Sequence, residues 1–196
     1  MNLQSIRIGA KKRHYDKTRK CQNIVKRNFY AERPNQIWVS DVTYYRLKEK
    51  QYFICVVMDL YARRVIAYKI GYSNNTHLIK ATFKMAYESR KPEPRLIFHT
   101  AQGVNYKSRI FSEYLGAREI TQSFSGPGKP RDNSVMETFF ASMKQEELYR
   151  YNCRSEREFR AAVERYIDFF NTKRPHKTLH YKTLFGPGRN RQLGVS

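Results

Sequence analysis

The run Ile37–Leu47, which reads Ile-Trp-Val-Ser-Asp-Val-Thr-Tyr-Tyr-Arg-Leu, constrains the fold more than any other stretch of the chain. Most of its residues are β-branched or aromatic and the polar turn 48–50 follows it, so the pattern predicts a strand that continues into a hairpin. Asp41 lies in the middle of this strand, where a carboxylate costs free energy if it is buried without a partner or a metal ion. Two interpretations are open: a functional carboxylate, or a residue on the solvated face of an edge strand.

The charge of the chain points to a polyanionic partner. Its 196 residues contain 38 Lys plus Arg against 17 Asp plus Glu, which gives a formal net charge of +21. A field of this sign attracts nucleic acid first of all. A ribosomal type of protein, or one that is merely basic, would show the same balance. A membrane partner is not indicated, because the chain has no long apolar run and no amphipathic helix with an aromatic, lipid-facing side.

The cysteines and the first residues indicate the compartment. Cys21, Cys55 and Cys153 are odd in number and far apart, without a Cys-x-x-Cys pair. This favours a reducing compartment and argues against a structural zinc site. His176 and His180 lack cysteine or carboxylate companions at ligand spacing. Since the chain begins without an apolar signal core, we expect a cytoplasmic protein that acts on DNA or RNA.

The rest of the chain predicts an alternation of strands and helices. Strands over Gln51–Tyr61 and Arg63–Tyr72 follow the first strand and form an antiparallel meander with it. Helical spacing of apolar residues predicts a helix over Thr76–Arg90, after which a crossover brings a strand over Arg95–Thr100 beside the first strand, in parallel. The remaining elements are a short helix over 106–116, a strand over Glu119–Ser125, a helix over Asp132–Tyr149 and a long amphipathic helix that a capping box at Ser155 begins.

Two acidic residues have a plain structural interpretation. The stretch Ser134-Val-Met-Glu137 matches a capping box, in which the glutamate merely bonds the start of a helix. Asp59 lies between the second and third strands, where it is most simply a turn residue or a partner for Arg63. The local sequence around Glu137 and around Asp59 therefore leaves the function of these two carboxylates open.

Five stretches, in order along residues 34 to about 185, are far more specific together than any one of them. They are Pro34-Asn-Gln-Ile-Trp-Val-Ser-Asp41-Val-Thr-Tyr, Val57-Met-Asp-Leu-Tyr-Ala-Arg-Arg-Val-Ile-Ala, Ile97-Phe-His-Thr-Ala101-Gln-Gly103, Asp132-Asn-Ser-Val-Met-Glu137-Thr-Phe-Phe and Phe170-Asn-Thr-Lys-Arg-Pro-His176. In these stretches the chain resembles the integrase-core domain of bacterial insertion-sequence transposases of the two-reading-frame kind. That family is related to retroviral integrases within the DDE superfamily.

The resemblance implies a ribonuclease H-like α/β fold, with a five-stranded mixed sheet whose first three strands are antiparallel and whose faces carry helices. It implies that Asp41 is the first and Glu137 the third catalytic carboxylate, which replaces the capping-box interpretation of Glu137. It also implies two Mg²⁺ or Mn²⁺ ions, DNA ends and target DNA as partners, a homo-oligomer in the active state and a place at the bacterial nucleoid.

The second carboxylate of the family belongs in a His-Ser/Thr-Asp-Gln-Gly stretch, and here that position is Ala101. Misalignment is hard to invoke, because 35 residues separate Ala101 from Glu137, which is the interval familiar in the family. An alanine methyl cannot bind a metal ion, so we expect a chain that binds DNA but cuts or joins it poorly. Asp59 on a neighbouring strand is the one residue considered as a replacement. An inactivated enzyme and a decayed genomic copy both explain Ala101.

Contacts with DNA are expected from cations around the site. Lys129 and Arg131 lie in a glycine-rich loop, Lys144 follows Glu137 on its helix, and Arg174 lies in the Arg-Pro-His stretch. Each could neutralise a phosphate or could be a solvated surface cation. Lys144 is favoured first, because members of the family carry a lysine there.

The domain organisation predicted from these observations has three parts. Residues 1–36 form a basic linker or arm, the remnant of an upstream DNA-binding region, with ten Lys or Arg against two acidic residues. Residues 37–185 form the integrase-type core, and residues 186–196 form a tail. The alternatives to a transposase core are a non-catalytic DNA-binding or regulatory remnant, and a nuclease of the ribonuclease H-like kind.

Overall fold

The computed structural model describes residues 21–174. The predicted tail 186–196 and the first part of the predicted arm lie outside the described residues. Of the arm, the segment that is described packs onto the rest of the chain: Val25 and Ala31 are buried in the core, and the backbone N–H of Phe124 donates to the carbonyl of Gln22 at 2.9 Å. The guanidinium of Arg63 donates to the carbonyl of Phe29 at 2.8 Å.

A five-stranded mixed sheet forms the centre of the fold. Strands β1 (Ile37–Leu47), β2 (Lys50–Asp59) and β3 (Arg64–Gly71) form an antiparallel meander. Strands β4 (Ile97–Thr100) and β5 (Thr121–Phe124) run parallel to β1, in the order β3-β2-β1-β4-β5. The predicted meander and the predicted parallel placement of the fourth strand beside the first are both confirmed.

Helices cover both faces of the sheet. Helices α1 (Thr76–Arg90) and α2 (Arg109–Gly116) pack on one face, and α3 (Ser134–Met143) and α4 (Glu156–Thr172) pack on the other. Successive side chains of a strand point to opposite faces. Accordingly, Trp38 of β1 is buried under the first pair of helices, whereas its neighbours are buried under the second pair.

The single helix predicted over Asp132–Tyr149 is wrong in its details. A 3₁₀ turn over Pro130–Asn133 precedes α3, and a π-helical turn over Lys144–Leu148 continues it. The predicted capping box is not formed: Ser134 already has helical backbone angles, so Asn133 is the residue before the helix, and no described side chain caps it. None of the helices in the described part of the chain is both long and apolar enough to cross a membrane.

Candidate active site

Asp41 is the first residue of β1 beyond its pairing with the parallel strand β4. Strand β4 pairs with β1 from Ile37 opposite Ile97 to Ser40 opposite Thr100, and then ends. Asp41 and Ala101 are therefore the next residues on two adjacent parallel strands, whose backbones run about 4.8 Å apart. The carboxyl ends of parallel strands are where α/β sheets commonly place functional groups.

If the alternation of β4 continues for one residue beyond its end, Asp41 and Ala101 share a face of the sheet. Ile37 and Val39, which precede Asp41 by four and two residues, pack in the core under α3 and α4, and Ile97 of β4 packs against the same core. The two-residue repeat of a strand places Asp41 on that face, and position 101 follows Ile97 by the same even spacing. Glu137 lies in the first turn of α3, which covers this face, and its side chain is exposed.

The charge of Glu137 contributes to the electrostatics of Asp41. Burial is the largest effect on the carboxyl of Asp41, and together with the negative charge of Glu137 it raises the pKa of Asp41 to about 6. The backbone N–H of Val42 donates to Asp41 Oδ1 at 2.8 Å and opposes the increase. A half-buried carboxyl whose pKa is raised by burial and by a second carboxylate is a candidate for a functional site.

This set of donors does not fit a two-metal site as the chain stands. Asp41 and Glu137 supply two carboxylates, and the third position on this face is the methyl group of Ala101. Within residues 21–174, no three His, Cys, Asp or Glu side chains are grouped so that they could hold a metal ion. A carboxylate at position 101 would stand beside Asp41 on the adjacent strand.

Asp59 does not take the place of the missing carboxylate. It pairs with Trp38, whereas Asp41 pairs with Val56 on the same strand, so that the two aspartates lie about 10 Å apart along the sheet. Both of its oxygens are engaged: Oδ1 accepts from the N–H of Tyr61 at 3.0 Å and Oδ2 from the N–H of Asn35 at 3.1 Å. Asp59 is thus a turn residue, as the simpler interpretation held, and not the partner of Arg63, which bonds a backbone carbonyl.

The four predicted DNA-binding cations differ in their surroundings. Lys129 and Arg131 are exposed in the loop before α3. Lys144 is half-buried, burial lowers its pKa, and its Nζ lies 5.1 Å from the ring centroid of Tyr44, which is 57% exposed. The aromatic ring beside this ammonium was not singled out from the sequence, because an exposed tyrosine in a strand gives no distinctive signal.

Arg174 is engaged within the chain. Its guanidinium forms an ion pair with Glu146 of the π-helical turn, and it donates to Tyr166 Oη at 2.9 Å and to Ser142 Oγ at 3.3 Å. Its side chain is only 25% exposed. An encounter with DNA would therefore compete with the carboxylate of Glu146 for this guanidinium.

Sequence reasoning missed the residues that hold the start of α3. Asp132 was taken only as a helix-start residue and His99 only as part of a motif, yet both are buried and hydrogen-bonded. Asn133 is buried as well, and its Nδ2 donates to the carbonyl of Ser40 at 3.3 Å. The adjacent pair Asp132-Asn133 was the available signal, because two short polar residues before an apolar helix are costly to bury without partners.

Comparisons with known proteins agree with this geometry. Residues 31–130 match the family described as "Integrase core domain", and residues 118–183 match a second family of the same description. The transposase for insertion sequence element IS904 of Lactococcus lactis is 30% identical over 187 residues, covering 93% of this chain and 74% of that protein. The transposase InsF for insertion sequence IS3A of Escherichia coli is 33% identical over 156 residues, covering 79% and 54% respectively.

The fold is also that of solved integrase cores. The HTLV-2 integrase catalytic core domain, solved in complex with magnesium in a dimeric form, superposes with a TM-score of 0.63 over 79% of this chain and 97% of that one, at 20% identity. The predicted ribonuclease H-like architecture is thereby confirmed. The chain spans between about half and three quarters of the length of the transposases named above.

Proposed function

Because this chain belongs to the integrase-core family of insertion-sequence transposases, we propose that it is a catalytic core for DNA cleavage and strand transfer whose carboxylate set is broken at Ala101. The proposal is supported by the position of Asp41 directly after the pairing of β1 with β4, where Ala101 follows β4, and by the effect of the Glu137 charge on the pKa of Asp41. Water and then a 3′-hydroxyl would be the nucleophiles of the two reactions.

The integrase-core family implies the use of a divalent metal ion, and Mg²⁺ or Mn²⁺ is the ion we expect. Asp41 and Glu137 are the side chains that would hold it, and two ions bound in a complete site stabilise both the attacking and the leaving oxygen of a phosphoryl transfer. With only two carboxylates, we expect weak binding and weak activity. Asp41 must also lose its proton before it can bind a cation, which its raised pKa makes harder below about pH 6.

DNA is the proposed partner, in the form of insertion-sequence ends and target DNA. The net charge of +21 supports this, and so do the exposed Lys129 and Arg131 and the half-buried Lys144 beside the site. We propose that Arg174 joins them once DNA competes with Glu146. We also propose that the protein is a homo-oligomer in its active state and that it associates with the nucleoid.

Ala101 specifically favours one alternative, a non-catalytic DNA-binding or regulatory remnant of a transposase. Such a chain would keep the fold and the cationic surface and would lack the reaction. A ribonuclease of the same fold has no specific observation in its favour, and it would cleave RNA–DNA hybrids without joining strands.

A joining reaction on branched DNA, run forward and in reverse, tests the proposal without knowledge of the native ends. We would compare the chain as written with Ala101→Asp in Mg²⁺ and in Mn²⁺, and add Glu137→Gln to each. We expect Ala101→Asp to react at least about 100-fold faster, because groups that merely orient a ligand are already worth about 10–100-fold and a direct ligand contributes more. Glu137→Gln should remove that gain. Equal and measurable rates of joining for the chain as written and Ala101→Asp would overturn the proposed role of position 101. An inactive Ala101→Asp that still binds DNA would favour the remnant.

A further inference from the structure

The carboxylate of Asp132 joins the arm and the loop at Gly126 to the start of α3. It accepts from Nε of Arg27 at 2.6 Å, from Nδ2 of Asn23 at 2.8 Å and from the backbone N–H of Gly126 at 2.9 Å. Its side chain is 5% exposed, whereas that of Arg27 is 51% exposed. The described part of the predicted arm is therefore held by a buried charge at the start of α3.

The backbone of Asp132 is held as well, through His99 at the carboxyl end of β4. His99 Nε2 lies 2.8 Å from the carbonyl oxygen of Asp132, and because a carbonyl only accepts, the proton is on Nε2. Burial lowers the pKa of His99, so the ring is neutral at pH 7 and Nδ1 accepts from the hydroxyl of Ser123 at 2.8 Å. Ser123 Oγ in turn accepts from the N–H of Ile24 at 2.9 Å. This second path leads back to the arm.

The residue after Asp132 connects the same point to the strand of Asp41. Asn133 Nδ2 donates to the carbonyl of Ser40, the residue directly before Asp41. Helix α3 begins directly after Asn133, and Glu137 lies in its first turn. The position of Glu137 relative to Asp41 is thus set through Asp132 and Asn133.

The loop before α3 has the space that this arrangement needs. A Cβ at Gly126 would lie 3.2 Å from Oδ2 of Asp132 and 2.9 Å from Cδ of Lys129. A side chain at position 126 would require Lys129 to move and the carboxylate of Asp132 to shift by a few tenths of an ångström. The loop that carries the predicted phosphate contacts Lys129 and Arg131 is therefore closed onto the same carboxylate.

We propose that Asp132 is a positioning residue for strand transfer, which uses the arm residues Asn23 and Arg27 to fix the loop 126–131 and the start of α3, and so the place of Glu137 opposite Asp41. The expected effect of Asp132 on the rate of joining rests on the proposed function. Its expected effect on the order of residues 126–137 does not. The described part of the arm then helps to organise the site.

Hydrogen exchange tests the structural consequence in the chain as written. We would compare Asp132→Asn and Arg27→Met with Arg165→Met, which removes a similar ion pair with Glu147 at 2.8 Å in another part of the fold. We expect amides of 126–137 to exchange about tenfold faster in the first two variants and those of α1 to stay unchanged, since one charge-assisted hydrogen bond is lost locally. The double variant should exchange no faster than Asp132→Asn alone, because the contact of Arg27 is already lost there. If 126–137 exchange no faster than in Arg165→Met, the proposal is wrong.

Kinetics test the catalytic consequence in the Ala101→Asp background. We expect Asp132→Asn to lower kcat for joining about tenfold with KM for DNA changed less than about twofold, because a small displacement of a reacting group acts on the chemical step. Arg165→Met should leave both unchanged. A change in KM alone would contradict positioning and leave only a DNA contact. If Ala101→Asp itself does not react, the proposed function fails, whereas the exchange experiment still decides the role of Asp132.

Discussion

The negative charge of Glu137 on α3 raises the pKa of Asp41 on β1, although 95 intervening residues separate them in the sequence. The two residues come close because α3 packs on the face of the sheet that includes Ile37 and Val39 of β1. Burial contributes more than Glu137 to the raised pKa. Without a cation, Asp41 is therefore a source of instability at neutral pH.

Replacing Asp41 should stabilise the protein at neutral pH in the absence of divalent ions. An acid whose pKa is raised in the folded state loses stability as the pH rises through its unfolded and then its folded pKa, here from about 4 to about 6. Asp41→Asn should therefore raise the free energy of unfolding at pH 7.5, by at most about 3 kcal/mol, and leave it nearly unchanged at pH 4. Denaturant titrations in EDTA at both pH values check this. Equal effects at both values would contradict it.

The pH dependence due to His99 has the opposite sign. A histidine whose pKa is lowered in the folded state binds its proton mainly in the unfolded state, so stability is lost as the pH falls below about 6.5. His99→Gln should cost about 1–3 kcal/mol at pH 7.5, because the buried Ser123 and the carbonyl of Asp132 lose a well-placed partner. The variant should also lose less stability than the parent between pH 7.5 and pH 5. A parallel loss in both proteins would show that His99 does not titrate in this range.

Lys144 should contribute to DNA binding through a phosphate. We expect Lys144→Ala to weaken binding to any DNA sequence and to reduce the slope of log K against log salt by about 1. Lys84→Ala is the matched control, because Lys84 is an exposed lysine on α1 that pairs with Glu88 at 3.6 Å. Fluorescence anisotropy at several salt concentrations measures both variants. The same slope for Lys144→Ala and Lys84→Ala would remove Lys144 from the interface.

The pairing of Arg174 with Glu146 makes its role testable by a substitution elsewhere. If DNA competes for this guanidinium, Glu146→Gln should free it and strengthen DNA binding. Glu147→Gln is the control, because it removes the same charge from the next residue, whose partner is Arg165. Binding that increases equally in both variants would reflect net charge alone, and Arg174 would then be a structural residue.

Much of the fold could be predicted because the local signals agree with the final structure. The β-branched run Ile37–Leu47 is β1 with the same bounds, and the apolar repeat over Thr76–Arg90 is α1 with the same bounds. Helical periodicity extends across the 3₁₀, α and π turns alike, so the pattern over Asp132–Tyr149 could not show where they change. Local pattern therefore located the elements but not their internal irregularities.

The residues of the candidate site were predicted from chemistry and resemblance. The contacts that hold these residues in place were not predicted. Asp41, Ala101 and Glu137 belong to recognisable stretches, and the strand register brings the first two together. The contacts of Asp132 with Arg27 join residues 105 apart, and no local pattern encodes a pairing of that separation. For the same reason a basic segment that looks like a solvated linker in the sequence packs against the core.

The central claim is that Asp41, Glu137 and position 101 form one metal site, and calorimetric titration with Mn²⁺ at pH 7.5 tests it most directly. The chain as written should bind weakly, and Ala101→Asp should bind at least about 10-fold more tightly, since groups that merely orient a ligand are already worth about 10–100-fold in affinity. Adding Asp41→Asn or Glu137→Gln to Ala101→Asp should abolish that gain. Equal affinity for the chain as written and Ala101→Asp, or a gain that survives Asp41→Asn, would contradict the claim.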